Sequence, residues 1–197
     1  MKLSAAILAG GQASRVQGFP KGTLQVDRHV TIIERQIDHC RKAHMNDVII
    51  LANRSEPYES FGVPIIADRR TNAGPMAGIE AALTHYQGSA DAVLFVPCDL
   101  PFISAQEFKT LRDTFLTSPA QAVFAMTCGS VWHPLCAIAH CDLLTTITDA
   151  LTQGERKIRA VWRDVNAEAV PFTQENAFFN VNTHADIARM QAQLGSA

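Results

Sequence analysis

Residues Leu3-Ser-Ala-Ala-Ile-Leu8 form an almost unbroken apolar run of strand length that empties straight into Ala9-Gly10-Gly11. A strand with one wet face alternates polar and apolar residues, so a run apolar throughout must be covered on both faces. Comparable runs recur at 47–51, 63–67, 91–96, 121–126 and 134–139, with a late one near 166–171. Helical segments lie between them. Over 30–43, Val30, Ile33, Ile37 and Cys40 stand three or four apart with charge between. Gly74-Pro75 precedes a helix over 76–86, and Ser104-Ala-Gln-Glu107 is a capping box opening a helix over 104–117, with Pro119 just beyond it. Thr183-His-Ala-Asp186 opens the last helix with a weaker form of that signal. The alternation predicts a three-layer α/β/α, Rossmann-like domain with a mainly parallel mixed sheet, one domain over 1–197. It is regular to about residue 100; beyond that the expectation is shorter strands and denser polar residues.

The first run leads into a loop with two glycines, then Arg15 and Lys21. A strand end bare of side chains lets backbone N–H groups approach an anion, and the two cations add fixed positive charge. This is a phosphate-holding arrangement and points to a nucleotide. The loop is neither a Walker A sequence nor a dinucleotide fingerprint. Ligands of such sheets sit at the carboxyl ends of the strands, which predicts that loops 9–22, 52–55, 68–77 and 97–103 share one rim.

Composition narrows the class of partner. The chain has 197 residues, 47% of them hydrophobic and 18% charged, enough for a sizeable core. A net charge of −2 provides no global attraction to nucleic acid or an anionic membrane, so anionic ligands must be held by local cations. No apolar run approaches the ~20 residues that cross a bilayer. The odd number of scattered cysteines, without a C-x-x-C pair, predicts reduced, mostly buried thiols and a cytoplasmic location. Cys136, His140 and Cys141 are close in sequence but match no common structural zinc spacing.

The string Leu8-Ala-Gly-Gly11, Arg15, Lys21-Gly22 resembles the signature of nucleotidyltransferases that act on molybdopterin and, more remotely, on sugar phosphates. Further matches follow in order: Ala52-Asn53-Arg54, Asp68, Gly74-Pro-Met-Ala-Gly-Ile79, Pro97-Cys-Asp-Leu-Pro101, His133-Pro134, Gly154-Glu-Arg156 and Phe179-Asn-Val-Asn-Thr183. Together they resemble the molybdenum cofactor guanylyltransferase family over nearly the whole chain. The departures are Arg15-Val-Gln-Gly-Phe-Pro20-Lys21, where that family has Arg-Met-Gly-x-x-Asp-Lys, and Leu51, where some members carry asparagine.

The resemblance implies transfer of GMP from GTP to molybdopterin with release of pyrophosphate. GTP and molybdopterin are then the substrates, Mg²⁺ the cofactor, and proteins that mature molybdoenzymes the candidate partners. Such transfer brings an attacking phosphate, an α-phosphorus and a leaving pyrophosphate into line, so catalysis is positioning and charge neutralisation. Lys21, Asp99 and Arg15 are the expected catalytic residues, with Asp99, fixed between two prolines, as the Mg²⁺ ligand. Leu8, Ala9, Gly10, Gly11, Lys21, Asn53, Asp68, Gly74, Gly78, Asn180 and Asn182 are the expected binding residues. On an extended segment Asn180 and Asn182 face the same way. Arg69, Arg70, Arg156, Lys157 and Arg159 are candidates for the pterin phosphate, and His133 for the pterin. Cys98 has no partner base and is assigned to packing. Two other readings stay open: cytidylyl or other nucleotidyl transfer to a phosphorylated acceptor, and a non-catalytic module that delivers the cofactor. Leu-Ala-Gly-Gly resembles the guanylyl branch, Leu-Ala-Ala-Gly the cytidylyl one.

Overall fold

The computed structural model describes residues 1–10, 15–16, 19–27, 29–70 and 73–194, with the backbone alone for Arg15, Val16 and Phe19. The chain runs β1 (Leu3–Leu8), β2 (Arg15–Val16), β3 (Phe19–Pro20), β4 (Gln25–Asp27), β5 (Val30–Thr31), α1 (Ile32–Lys42), β6 (Val48–Leu51), β7 (Ile65–Ile66), α2 (Pro75–Tyr86) and β8 (Ala92–Pro97). It continues with α3 (Ala105–Thr117), β9 (Ala122–Thr127), β10 (Val131–His140), α4 (Leu144–Thr152), α5 (Ile158–Asp164), β11 (Glu168–Phe172) and α6 (His184–Leu194).

A seven-stranded sheet has the order β11-β9-β10-β8-β1-β6-β7. β1 pairs in parallel with β6 and β8, β6 with β7, and β9 with β11; β10 alone is antiparallel to its neighbours β8 and β9. The sheet is therefore mixed and mainly parallel. Helices cover both faces, and each face has its own core. Ile7, Ile50, Leu94 and Val96 pack with Ile33 and Ile37 of α1 and Phe108 and Leu111 of α3. Ala6, Ile49, Val93 and Phe95 pack on the other face with Ile79 and Leu83 of α2 and Trp162 of α5. The central strands are buried on both sides, which is why they read as unbroken apolar runs.

The expected elements are largely present, with shifts of physical origin. The helix expected over 30–43 starts at Ile32, because Thr31 is its N-cap in a complete capping box with Glu34, and Val30–Thr31 pair with β4. Ser104 and Glu107 cap α3 in the same way. The run at 63–67 yields only Ile65–Ile66, at the sheet edge. The expectation of short strands in the second half is corrected by β10, which spans 10 residues. Its register shifts between His133 and Ala137, around Pro134, which has no N–H to give to a ladder. α4 and α5 were not anticipated. Leu144, Ile147 and Leu151 do repeat at helical spacing, but the threonines between them lower the propensity signal.

A third, smaller core holds α6 to the start of the chain: Val26, Ile32, Val181 and Met190, with Leu24, Phe102 and Phe179 against them. Cys136 and Cys141 face the two different cores, so the trio with His140 forms no metal centre, and no group of three or more metal-ligating side chains occurs among the described residues. All five cysteines are free, and only Cys128 is exposed. No helix among the described residues is long and apolar enough to cross a membrane.

Candidate active site

The carboxyl ends of β1, β6, β7 and β8 meet on one rim, as the parallel pairing requires. Ala9 N–H donates to Leu51 O at 2.9 Å, Ala52 N–H to Ile66 O at 2.9 Å, and Cys98 N–H to Leu8 O at 3.0 Å. The buried Tyr58 hydroxyl donates to Ala9 O at 3.4 Å and steadies the start of the glycine loop. These bonds put the loops after four strands side by side, as the sequence predicted.

One side of the rim carries small residues and an amide–carboxylate pair among the described residues. Asn53 and Asp68 hold each other reciprocally: Asn53 Nδ2 donates to Asp68 Oδ2 at 2.8 Å, and Asp68 N–H donates to Asn53 Oδ1 at 2.9 Å. A Cβ on Gly78 would come within 3.2 Å of Leu8 Cδ2 and 3.5 Å of Asp68 Oδ1, so the first turn of α2 lies close against this pair. A Cβ on Gly10 would likewise fall 3.8 Å from Asp68 Oδ2. Gly74, the N-cap of α2, has φ +68°, a backbone state that favours glycine. Partial burial raises the Asp68 carboxyl above its ordinary range, against the lowering effect of the Asn53 bond. Leu8, Ala9, Gly10, Asn53, Asp68, Gly74 and Gly78 thus converge on one strip of the rim. Gly11 lies outside the described residues, as does the side chain of Arg15, whose backbone pairs with Pro20.

The other side of the rim carries buried charge. Lys21 begins a short 3-10 turn, Lys21–Thr23, and its side chain is only 2% exposed. Its ammonium lies 3.2 Å from Asp99 Oδ2 and also donates to Asn182 Oδ1. Asp99 is itself only 20% exposed. Its second oxygen, Oδ1, is buried without a hydrogen-bond partner. Burial pushes the Asp99 carboxyl up from its ordinary range, and the Lys21 ammonium pulls the other way. Both charges are largely taken out of water and hold each other.

Residues from several elements fix this pair. Gly22 is forced by packing, since a Cβ there would lie 2.5 Å from Ile33 Cδ1 and 3.3 Å from Cys98 Cβ. The buried Gln36 amide donates to Pro97 O at 2.9 Å and Leu100 O at 3.4 Å, on either side of Asp99. Val181 N–H donates to Asp99 O at 3.0 Å. Asp186 Oδ2 accepts from the backbone N–H of Asn182 at 3.0 Å and of Thr183 at 2.8 Å, so the cap of α6 also anchors Asn182. That cap was readable as Thr183-x-x-Asp186; the other contacts span distances in sequence that leave no local mark. Val181 is buried between the exposed Asn180 and Asn182, as the alternation required, but only Asn182 reaches Lys21; the Asn180 amide turns to Phe178 O at 3.5 Å. Cys98 is buried, and desolvation with the nearby Asp99 charge pushes its thiol up to about 12, which suits packing and not nucleophilic attack.

The candidates for the pterin end have mixed placements. Arg70 Nε donates to both oxygens of the buried Glu80, at 3.1 and 2.9 Å, so its charge is committed to that pair. Arg156 donates to Leu151 O and Glu155 O, at 2.9 and 2.8 Å, capping the end of α4. Arg69 reaches Thr84 Oγ1 at 3.4 Å, and Lys157 is exposed. Arg159 lies over the Trp132 ring at 4.4 Å. His133 bonds Thr127 Oγ1 at 2.9 Å and stacks on Phe178 with centroids 4.5 Å apart. Partial burial lowers its pKa below 6.5, which favours the neutral ring.

Comparison with known proteins brings these observations together. The family model described as MobA-like NTP transferase domain matches residues 5–170. A molybdenum cofactor guanylyltransferase of Pasteurella multocida is 35% identical over 187 residues, covering 93% of this chain and 96% of that protein. One from Serratia proteamaculans is 32% identical, covering 98% and 96%. Among solved structures, molybdopterin-guanine dinucleotide biosynthesis protein A from Archaeoglobus fulgidus superposes with a TM-score of 0.78 at 22% identity, covering 98% of this chain and 100% of that one.

Proposed function

We propose, on the premise that the chain belongs to the MobA-like NTP transferase domain family, that it transfers GMP from GTP to molybdopterin, forming the guanine dinucleotide cofactor and pyrophosphate. The observation that carries the reading is the meeting of Lys21, Asp99 and Asn182 at the strand ends of a chain that aligns along nearly its full length with guanylyltransferases. On this reading the chain acts as one nucleotidyltransferase domain, in the cytoplasm, with proteins that mature molybdoenzymes as its partners.

The strip of small residues takes the nucleotide. Small residues let the triphosphate approach the backbone, and the Asp68 carboxylate, held by Asn53, offers acceptors to the N–H groups of a guanine edge or to ribose hydroxyls. Lys21 and Arg15 supply positive charge toward the phosphates. Asp99 suits a Mg²⁺ site: one buried carboxylate oxygen has no hydrogen-bond partner. Mg²⁺ is commonly held by one or two carboxylates, with phosphate oxygens and waters completing its shell. When bound, it neutralises charge that develops on the reacting phosphates. Asn182, bonded to Lys21, and Asn180 beside it would serve the metal or the second substrate. At the β10 end of the rim, the Trp132 ring with the Arg159 guanidinium over it suits a pterin and its phosphate, while His133 and Phe178 offer a second stacked pair on the opposite face of the strand.

The test is product identity. Purified protein with molybdopterin, Mg²⁺ and one of GTP, CTP or ATP should form the guanine dinucleotide with GTP well above the others. A cytosine dinucleotide from CTP would replace guanylyl by cytidylyl transfer. No dinucleotide from any of the three would leave a carrier of the cofactor.

A further inference from the structure

A lysine that serves a triphosphate needs its ammonium turned toward the open rim. Lys21 is instead folded inward, 2% exposed, onto Asp99 and Asn182. It rests on the carboxylate that would hold a divalent ion, and it uses Oδ2, leaving Oδ1 buried and unpartnered. A buried carboxylate is stable only with a counter-charge. Here that charge is the ammonium. An ammonium and a divalent cation on one carboxylate repel each other strongly at such short range, more so away from bulk water. The two cations therefore exclude each other at Asp99.

Building on the nucleotidyltransferase reading above, we propose that Lys21 is the resident cation of Asp99 in the nucleotide-free protein, and that it yields this place to Mg²⁺ only as it turns its ammonium to the incoming phosphates. Lys21 thus neutralises Asp99 in the empty site and the triphosphate in the loaded one. The supports are already in place. The 3-10 turn that carries Lys21 is wedged against Ile33 and Cys98, so its backbone is fixed and the move belongs to the side chain. Asn182, anchored through Asp186, gives the ammonium a neutral second partner that stays behind when it leaves. Linkage then sets the sign: metal alone must displace the lysine and binds weakly, whereas metal with nucleotide binds well, because the phosphates receive the displaced charge. Each ligand raises the affinity of the other by the same factor.

The test uses Mn²⁺ as the probe, followed by electron paramagnetic resonance and calorimetry on the whole protein, without acceptor, so that no turnover intervenes. In the wild type, Mn²⁺ alone should bind weakly and GTP should tighten it. In Lys21→Met, Mn²⁺ alone should bind at least about tenfold more tightly, because the competing charge is gone, while GTP binds more weakly and no longer tightens Mn²⁺. The gain should vanish when Asp99→Asn is added. A merely structural lysine would lower both affinities together. Lys21→Met binding Mn²⁺ alone no better than the wild type overturns the proposal. If that variant does not fold, Lys21→Gln keeps hydrogen-bonding capacity without the charge and carries the same expectation. Nitrogen-15 lysine spectra of the wild type decide independently: a protected Lys21 ammonium signal in the free protein should be lost with Mg²⁺ and GTP, and its persistence unchanged in the loaded protein overturns the exchange. Failure of the guanylyl reading would look different, namely a wild type that binds no GTP, whatever Lys21→Met does to Mn²⁺ alone.

Discussion

On the side of the rim built by β1, β6, β7 and α2, the described residues next to Asp68 are largely small. Gly10 and Gly74 add no side chain there, Gly78 lets α2 pack close on Leu8 and Asp68, and Asn53 and Asp68 bond each other. On the side built by β9, β10 and β11, side chains crowd: His133 on Phe178, Trp132 between Phe124 and the guanidiniums of Arg159 and Arg163. The first side suits a ligand held largely through backbone groups, the second one held by ring faces and charge. Lys21, Asp99 and Asn182 stand at the junction and draw one residue from each of three distant parts of the chain. A transferase needs such a division, since its two substrates must be told apart and their reacting atoms still brought together.

The largest expected effect comes from breaking the junction. Asp99→Asn should lower dinucleotide formation by orders of magnitude across a Mg²⁺ titration. It should also destabilise the fold, by about 3–5 kcal/mol, because a buried ammonium loses its counter-charge. Thermal melts read the second effect. A wild-type rate and melting point would show that the pair supports neither chemistry nor fold. Gly22→Ala should cost roughly 1–3 kcal/mol, since a methyl must displace the fully buried Ile33. Urea midpoints check it, and a shift confined to activity would mean that the turn moves without loss of packing.

The side with small residues is probed more gently. Asp68→Asn keeps the shape of the pair but loses the charge. The KM for GTP should rise about tenfold, the scale of one charge-assisted hydrogen bond, with kcat little changed. Equal losses of kcat would move Asp68 from binding to chemistry. The smallest effect concerns pH on the crowded side. Burial lowers the pKa of His133 below 6.5, so its contribution to stability is full above 6.5 and is lost as pH falls through the folded value. His133→Phe should flatten part of the decline in urea midpoint below pH 6.5. The remaining slope includes His39, lowered by burial in the same direction.

The same contrast explains what could be read from the sequence. The side with small residues is made by local grammar: an apolar run, then small residues, then a strand-end Asp68. The central strands, the capping box of α3 and the shared rim all followed from such patterns. The junction and the buried charge pairs are made by contacts that no local pattern states. Nothing near Lys21 signals that it is buried, because its partners lie 78 and 161 residues away. Arg70 looked like a phosphate ligand because Glu80, its partner, sits in a helix read for its apolar face. β10 was read short because Pro134 interrupts it. Charge burial depends on who faces whom, and a run of residues does not state that.

The bond from Val181 to the Asp99 carbonyl, with Asn182 on Lys21, also bears on the order in which the molecule is completed. A chain released from synthesis, or clipped, after Phe172 would hold every strand of the main sheet, with both of its cores nearly whole. It would still leave the Lys21 ammonium and the Asp99 carbonyl each short of a partner. The junction is therefore completed by residues made after every strand of the main sheet, so the scaffold can form before Lys21 and Asp99 gain all their partners.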